Sequence, residues 1–180
     1  MKFKPTAIPD VIVVEPEVFG DARGFFMESW NERVFSEVGI TARFVQDNHS
    51  RSVKGVLRGL HYQIKQPQGK LIRVIHGEIF DAVVDIRRRS PSFGKIFTTT
   101  LSGKDHKMLW VPPGFAHGFC VTSDSAEVLY KSSDFYAPQY ERTILWNDPE
   151  LSIAWPVSGI PTVSAKDAAG TPLRKADIFE

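Results

Sequence analysis

Gly55-Val56-Leu57-Arg58-Gly59-Leu60-His61-Tyr62-Gln63 is a β-type apolar run with an arginine and a histidine three residues apart. Nine residues after His61 comes Lys70, inside Gln68-Gly69-Lys70-Leu71-Ile72-Arg73-Val74. An imidazole, a guanidinium and an ammonium this close together suit chemistry on an anionic or carbonyl substrate. Strict strand alternation would turn Arg58 and His61 to opposite faces. Either Gly59 marks a bulge that brings both inward, or Arg58 reaches around an edge. Any one of the three cations alone would read as a strand-end charge or a hydrogen-bonded histidine.

Working outward from this run, short extended segments dominate. On the N-terminal side, Val11–Val14 and Phe25–Trp30 read as strands, and Gly20-Asp21-Ala22-Arg23-Gly24 reads as a turn. Asn31 can cap a short helix that runs through Val38, with Val34, Phe35 and Val38 on one face and Gly39 as its stop. Arg43–His49 resumes extended structure and ends in polar residues. On the C-terminal side, Lys70–Ile75 and Glu78–Ile86 flank a tight turn at His76-Gly77. In the second of these, Phe80, Ala82, Val84 and Ile86 share one face, while Ile79, Asp81, Val83 and Asp85 share the other. Further strands are expected at Lys95–Leu101, Lys107–Val111, after Pro112-Pro113-Gly114, at Glu127–Ser132 and at Arg142–Trp146. Ser164-Ala165-Lys166-Asp167 reads as a capped turn or short helix. Many short strands, regular turns and almost no helix imply an all-β sandwich or barrel. No repeat, low-complexity segment or linker divides the 180 residues, so residues 1–180 read as one domain.

Composition narrows the function. With 22 Lys and Arg against 21 Asp and Glu, the net charge of +1 marks neither a nucleic-acid binder nor a membrane-surface protein. The one dense basic run, Arg87-Arg88-Arg89, reads as a solvated loop after a strand. Cys120 is the single cysteine, which excludes an intrachain disulfide and a multi-cysteine metal site. No signal-type apolar core follows Met1-Lys2-Phe3-Lys4-Pro5, and no apolar stretch approaches bilayer length. A soluble cytoplasmic protein is the expectation.

Two segments resemble the paired signatures of the cupin superfamily: Gly55 through His61 to Gly77, and Pro112-Pro113-Gly114-Phe115-Ala116-His117. Metal-binding cupins usually place a second histidine two residues after the first and follow it with a carboxylate. Here that position is Gln63, and no acidic residue follows until Glu78, so a metal is not expected. Val56–Gln63, Gln68–Val74, Pro112–Phe119, Tyr130-Lys131 and Trp146-Asn147-Asp148-Pro149 together resemble the dTDP-4-dehydrorhamnose 3,5-epimerase family, from Ile12 to about Pro172. The resemblance implies a cupin-type jelly-roll β-barrel with a few short peripheral helices. It also implies a homodimer whose N-terminal segments complete the partner's nucleotide site, and a reaction without a cofactor.

That reaction inverts C3 and C5 beside the C4 ketone of a nucleotide-linked sugar. The ketone is itself the electron sink. His61 matches the family's general base, Lys70 the group facing the C4 oxygen, and Tyr130 the general acid. Asp167 matches the carboxylate that orients the base, and Asp81, on a half-apolar strand face, is a second candidate. Arg23, Glu28, Gln46, Asn48, Arg58, His117, Glu141 and Lys166 fall on family substrate-binding positions. Guanidinium forks suit a diphosphate, and amides suit the edge of a thymine ring. A dimer interface would also account for strands apolar on both faces, such as Ala82-Val83-Val84. His49, His76 and His106 read as loop or turn residues. Three rival readings share parts of this set: a relative that inverts one centre or isomerises the ketone, a non-catalytic sugar-binding cupin, and a metal-dependent cupin oxygenase, which Gln63 disfavours.

Overall fold

The computed structural model describes residues 1–180, and antiparallel sheet accounts for most of the ordered backbone. The strands are β1 (Lys2–Pro5), β2 (Ile12–Glu15), β3 (Val18–Asp21), β4 (Gly24–Met27), β5 (Gln46–Val53), β6 (Leu57–Gln63), β7 (Lys70–His76), β8 (Glu78–Asp85), β9 (Ile96–Ser102), β10 (Met108–Val111), β11 (Phe115–Val121), β12 (Ser125–Ser132) and β13 (Glu141–Thr143). Two short helices, α1 (Glu32–Ser36) and α2 (Ala165–Ala168), lie outside them. One sheet has the order β1-β2-β10-β7-β12-β5 and the other β13-β6-β11-β8-β9; β3 and β4 form a separate hairpin. The two large sheets face each other across a core that includes Ile72, Val74, Leu109 and Val128 from the first and Ile79, Val83, Phe115 and Phe119 from the second. This is the double-sheet jelly roll expected from the sequence.

Several expected boundaries shift. The helix after Asn31 is shorter than the expected span to Val38. Asn31 Oδ1 caps it by accepting from the Arg33 and Val34 amides, Phe35 is buried, and Gly39 takes the left-handed conformation at φ +83°. Val38 is exposed, so only one apolar anchor holds the turn. The segment after Arg43 becomes a strand only at Gln46 and then runs on to Val53, pairing with β12 over its full length. His49 and His76 therefore sit on strands rather than in loops. Gly77 turns the chain at φ +74°, but the turn is not a hairpin: β7 pairs with β10 and β12, while β8 pairs with β9 and β11. The turn passes the chain from one sheet to the other.

The doubly apolar β8 has an explanation within the chain. Its Ala82 and Val84, with Ile86 just beyond its end, face outward onto Leu151, Leu173 and Ile178 of the C-terminal segment, with Trp155 and Phe179 at the margin. No dimer interface is needed to cover that face. Trp146-Asn147-Asp148-Pro149 fastens the same segment: buried Asp148 accepts from the Glu150 and Leu173 amides at 2.9 and 2.6 Å. The other sheet's outer face is covered by a second cluster, in which Phe35, Ile40 and Trp30 pack on Val14, Leu71, Met108 and Trp110.

The basic run after β8 is likewise less solvated than expected. The fully buried carboxylate of Asp85 accepts from Arg87 Nη2 at 2.7 Å and from the hydroxyls of Ser90 and Ser92 at 2.6 and 2.7 Å. Arg87 also reaches Asp10 and lies over the Phe115 ring. Arg88 donates its amide to Phe179. Burial alone would raise the Asp85 pKa, but the bonds to Arg87, Ser90 and Ser92 outweigh it and hold the group down to about 2 against an ordinary 3.8. A carboxylate depressed on folding stabilises the fold above its unfolded value, and that contribution is lost as it protonates. Urea melts should therefore show stability falling by about 2 kcal/mol as pH drops from near 4 to near 2. Asp85→Asn should be less stable at neutral pH and lack that part of the acid dependence.

Candidate active site

The pocket opens between the two sheets, as a cavity of about 350 Å³. From the five-stranded sheet come Arg58 and His61 on β6, His117 on β11 and Glu141 on β13; from the six-stranded sheet come Gln46 and Asn48 on β5, Lys70 on β7 and Tyr130 on β12. Lys166, on α2, closes one side.

Arg58 and His61 share this cavity because β6 bulges. His61 pairs with His117, but Arg58 pairs with Phe119, so three steps along β6 match two along β11. Gly59 takes up the extra residue at φ +117°. A methyl group on Gly59 would lie 2.6 Å from Gly118 Cα, and one on Gly118 would lie 2.6 Å from the Arg58 carbonyl oxygen. Two glycines in register are what lets the backbones approach this closely. The bulge, rather than a reach around the edge, resolves the placement of Arg58.

His61 Nε2 lies 2.5 Å from Asp167 Oδ1. The Ser164 hydroxyl holds Asp167 in turn by accepting its amide, the cap expected of Ser164-Ala165-Lys166-Asp167. Burial lowers the His61 pKa below 6.5, and Asp167 only partly counters this. The imidazole is therefore mostly neutral at pH 7; with Nε2–H donated to Asp167, Nδ1 carries the free lone pair. Burial also acts on Asp167, upward, but its bonds to His61 and Ser164 keep it an anion. Asp81, the other candidate partner, belongs to a second pair: its buried carboxylate accepts from His117 Nε2 at 2.9 Å.

The Lys70 ammonium makes no hydrogen bond or ion pair within the chain, and burial lowers its pKa to about 8. Burial raises the Tyr130 pKa, so the phenol keeps its proton at neutral pH. Glu141 links Lys166 at 2.8 Å to the Tyr136 hydroxyl at 2.8 Å. Burial pushes its carboxyl up, but these two bonds outweigh that and lower it. No group of three or more His, Cys, Asp or Glu side chains converges on a metal-sized site.

Two expected residues lie elsewhere. Arg23 sits at the tip of the β3–β4 hairpin, exposed, with its guanidinium on Asp21 at 2.5 Å. Glu28 accepts from the Asn31 side chain at the start of α1. Neither lines the pocket of its own chain. His106 stacks on Phe25 of the hairpin, and His49 bonds Glu127 on the outer surface. Tyr136, Gln63 and Gln68 line the cavity without having been singled out for it. Tyr136 follows no motif or periodicity. Gln63 stands in the sequence where metal-binding cupins carry a second histidine, and that position gives no hint of its place in this wall.

The model of the dTDP-4-dehydrorhamnose 3,5-epimerase family matches residues 5–175. A dTDP-4-dehydrorhamnose 3,5-epimerase of Pseudomonas aeruginosa is 57% identical over 180 residues, covering 99% of each chain. Among solved structures, an epimerase of Legionella pneumophila in complex with dTDP-4-keto-L-rhamnose superposes with a TM-score of 0.95 at 49% identity, over 98% of this chain and 94% of that one. A 3'-monoepimerase of Streptomyces bikiniensis in complex with dTDP-quinovose reaches 0.89 at 30% identity, over 94% and 87%. With its two-sheet pocket and its buried imidazole–carboxylate pair, this chain belongs to the dTDP-4-dehydrorhamnose 3,5-epimerase family of isomerases.

Proposed function

We propose that the chain inverts C3 and then C5, or the reverse, of dTDP-4-dehydro-6-deoxy-D-glucose to give dTDP-4-dehydro-L-rhamnose, with its own side chains supplying base, acid and oxyanion charge. His61 Nδ1 takes the hydrogen from the carbon beside the C4 ketone. The electron pair moves into the ketone and leaves an enolate. The Lys70 ammonium, desolvated and unpaired, faces that oxygen, where fixed charge stabilises the oxyanion most. The Tyr130 phenol returns a proton to the opposite face, and the ketone re-forms. The observation that carries this reading is that His61 and Tyr130 reach one cavity from opposite sheets. Inversion needs proton removal and return on different faces of the sugar, and groups from facing walls can supply both.

Arg58 suits the diphosphate, and Gln46 and Asn48 the thymine edge. His117, held by Asp81, and the Glu141–Lys166 pair complete the substrate contacts. For Arg23 and Glu28 we favour a homodimer in which the hairpin enters the partner's pocket. Phe19, Phe25 and Phe26 on that hairpin are 58–71% exposed, an apolar surface that a second copy would cover. Residues 1–180 act as one domain in this reading, with no nucleic-acid or membrane partner. A cytoplasmic location agrees with the free, buried Cys120.

Three outcomes test this. In D₂O with the 4-keto nucleotide sugar, NMR should show deuterium at both C3 and C5; label at one centre marks a monoepimerase, and none marks a binder. His61→Ala should abolish exchange at both positions, whereas Tyr130→Phe should keep exchange and lose correct reprotonation. In a kcat/KM pH profile, activity should fall on the acid side with an apparent pKa below 6.5, as His61 protonates, and on the alkaline side near 8, as Lys70 loses its proton. Lys70→Met should lower kcat by about 10²–10³ and remove the alkaline limb. Asp167→Asn should move the acid limb lower, because the carboxylate favours the imidazolium. Finally, Arg23→Ala and His61→Ala chains, each impaired alone, should regain activity when refolded together. The mixed dimer has one site with both residues intact, whereas a site built from a single chain would regain nothing.

A further inference from the structure

Residues Asp134–Ala137 run along the mouth of the pocket between the end of β12 and β13, and place Tyr136 in its wall. No backbone–backbone hydrogen bond involves residues 134–136. Three glutamine side chains take their place. Gln68 Nε2 donates to the Asp134 carbonyl at 2.8 Å. Gln63 Nε2 donates to the Phe135 carbonyl at 3.2 Å, and its Oε1 accepts the Ala137 amide at 2.8 Å. Gln46 Oε1 accepts the Tyr136 amide at 2.9 Å. Every residue of the tetrapeptide thus has one backbone group held by an amide side chain from β5, β6 or the turn before β7.

Gln63 is the central fastener. It is 3% exposed, and its second Nε2 hydrogen goes to the Gln66 carbonyl at 2.7 Å, in the turn that leads to Gln68. This buried amide uses both of its N–H donors and its carbonyl oxygen to tie two loops together. Phe135 and Tyr136 are 59% and 51% exposed, so little apolar burial holds them. Tyr136 is tied on one side to Glu141 by its hydroxyl and on the other to Gln46 by its amide. The strap therefore borders both the Glu141–Lys166 pair and the β5 amides.

We propose that Asp134–Ala137 is a strap over the pocket mouth, fastened by side-chain amides instead of sheet bonds, and that Gln63 is the positioning residue that sets Tyr136 against the bound nucleotide sugar. This rests on the epimerase reading above. It separates two tasks. His61, Lys70 and Tyr130 stand on strands and do not depend on the strap. Retention of the substrate does.

The test compares wild type with Gln63→Leu and Gln68→Leu. Leucine removes the amide bonds while filling most of the volume. Hydrogen exchange followed by NMR should speed up at the Ala137 amide by about fivefold in Gln63→Leu, since one bond is worth roughly 1 kcal/mol. Exchange at β6 and β12 core amides should not change. KM for the 4-keto nucleotide sugar should rise about five- to tenfold with kcat within about threefold of wild type, the pattern of lost uniform binding. Gln68→Leu, which breaks only the bond to Asp134, should move both readouts the same way by less. Unchanged KM despite faster strap exchange, or a fall in kcat with KM constant, would overturn the proposal. If Gln63→Leu does not fold, Gln68→Leu decides alone by the same criteria. A wild-type chain that fails to epimerise would instead refute the underlying reading, which the assay shows before any variant is made.

Discussion

Gly59 and Gly118 meet backbone to backbone in adjacent strands, and the extra residue accommodated there decides what the pocket contains. Without the bulge, the period of two would turn Arg58 to the face of its sheet that points away from His61. With it, a guanidinium suited to phosphate and an imidazole suited to carbon acid chemistry share one cavity. The same bulge brings the Gly59 amide near Asp167, where it helps keep the carboxylate ionised. One local departure from regular sheet thus brings Arg58 and His61 into one cavity and helps fix the charge of the carboxylate that holds His61.

The two sheets divide the remaining work. The β6–β11 wall supplies two histidines, each fixed by a carboxylate from a different place: Asp167 from the C-terminal helix, Asp81 from β8. The facing wall supplies Lys70 and Tyr130. Burial pushes these groups in useful directions. His61 moves down toward neutrality, Lys70 down to about 8, and Tyr130 up toward retention of its proton. Desolvation therefore favours a neutral imidazole, a lysine whose charge responds to pH and a protonated phenol at the same pH, the states that the proposed base, oxyanion partner and acid require.

The C-terminal segment has two roles. Its apolar residues cover the outer face of the five-stranded sheet, which would otherwise expose β8 to water. It also carries Asp167 to the back of His61. Asp148 and the parallel bridges at Val56–Thr162 and Ile144–Thr171 register this segment against β6 and β13. One stretch of chain thus both covers the sheet and holds the His61 imidazole.

The β-class architecture, the short capped helix at Asn31, the face assignments along β8 and the candidate base, lysine, tyrosine and carboxylate were legible in sequence. Period-two alternation, turn residues and capping chemistry are local, and the family motifs span nearly the whole chain. Tertiary structure decided the rest. Whether Asp167 or Asp81 serves His61 depends on which strand a carboxylate faces after folding, across separations of 106 and 20 positions in the chain. That Arg87 would be a half-buried clamp and not a solvated charge depended on Asp85 being wholly enclosed. Gln46, Gln63 and Gln68 stand in the sequence as a substrate-binding position and as parts of family segments, but nothing in it marks them as fasteners of residues 134–137, because an amide that bonds another loop's backbone has no periodicity or spacing of its own. Such contacts exist only once the sheets have brought distant segments within about 3 Å, the reach of a hydrogen bond.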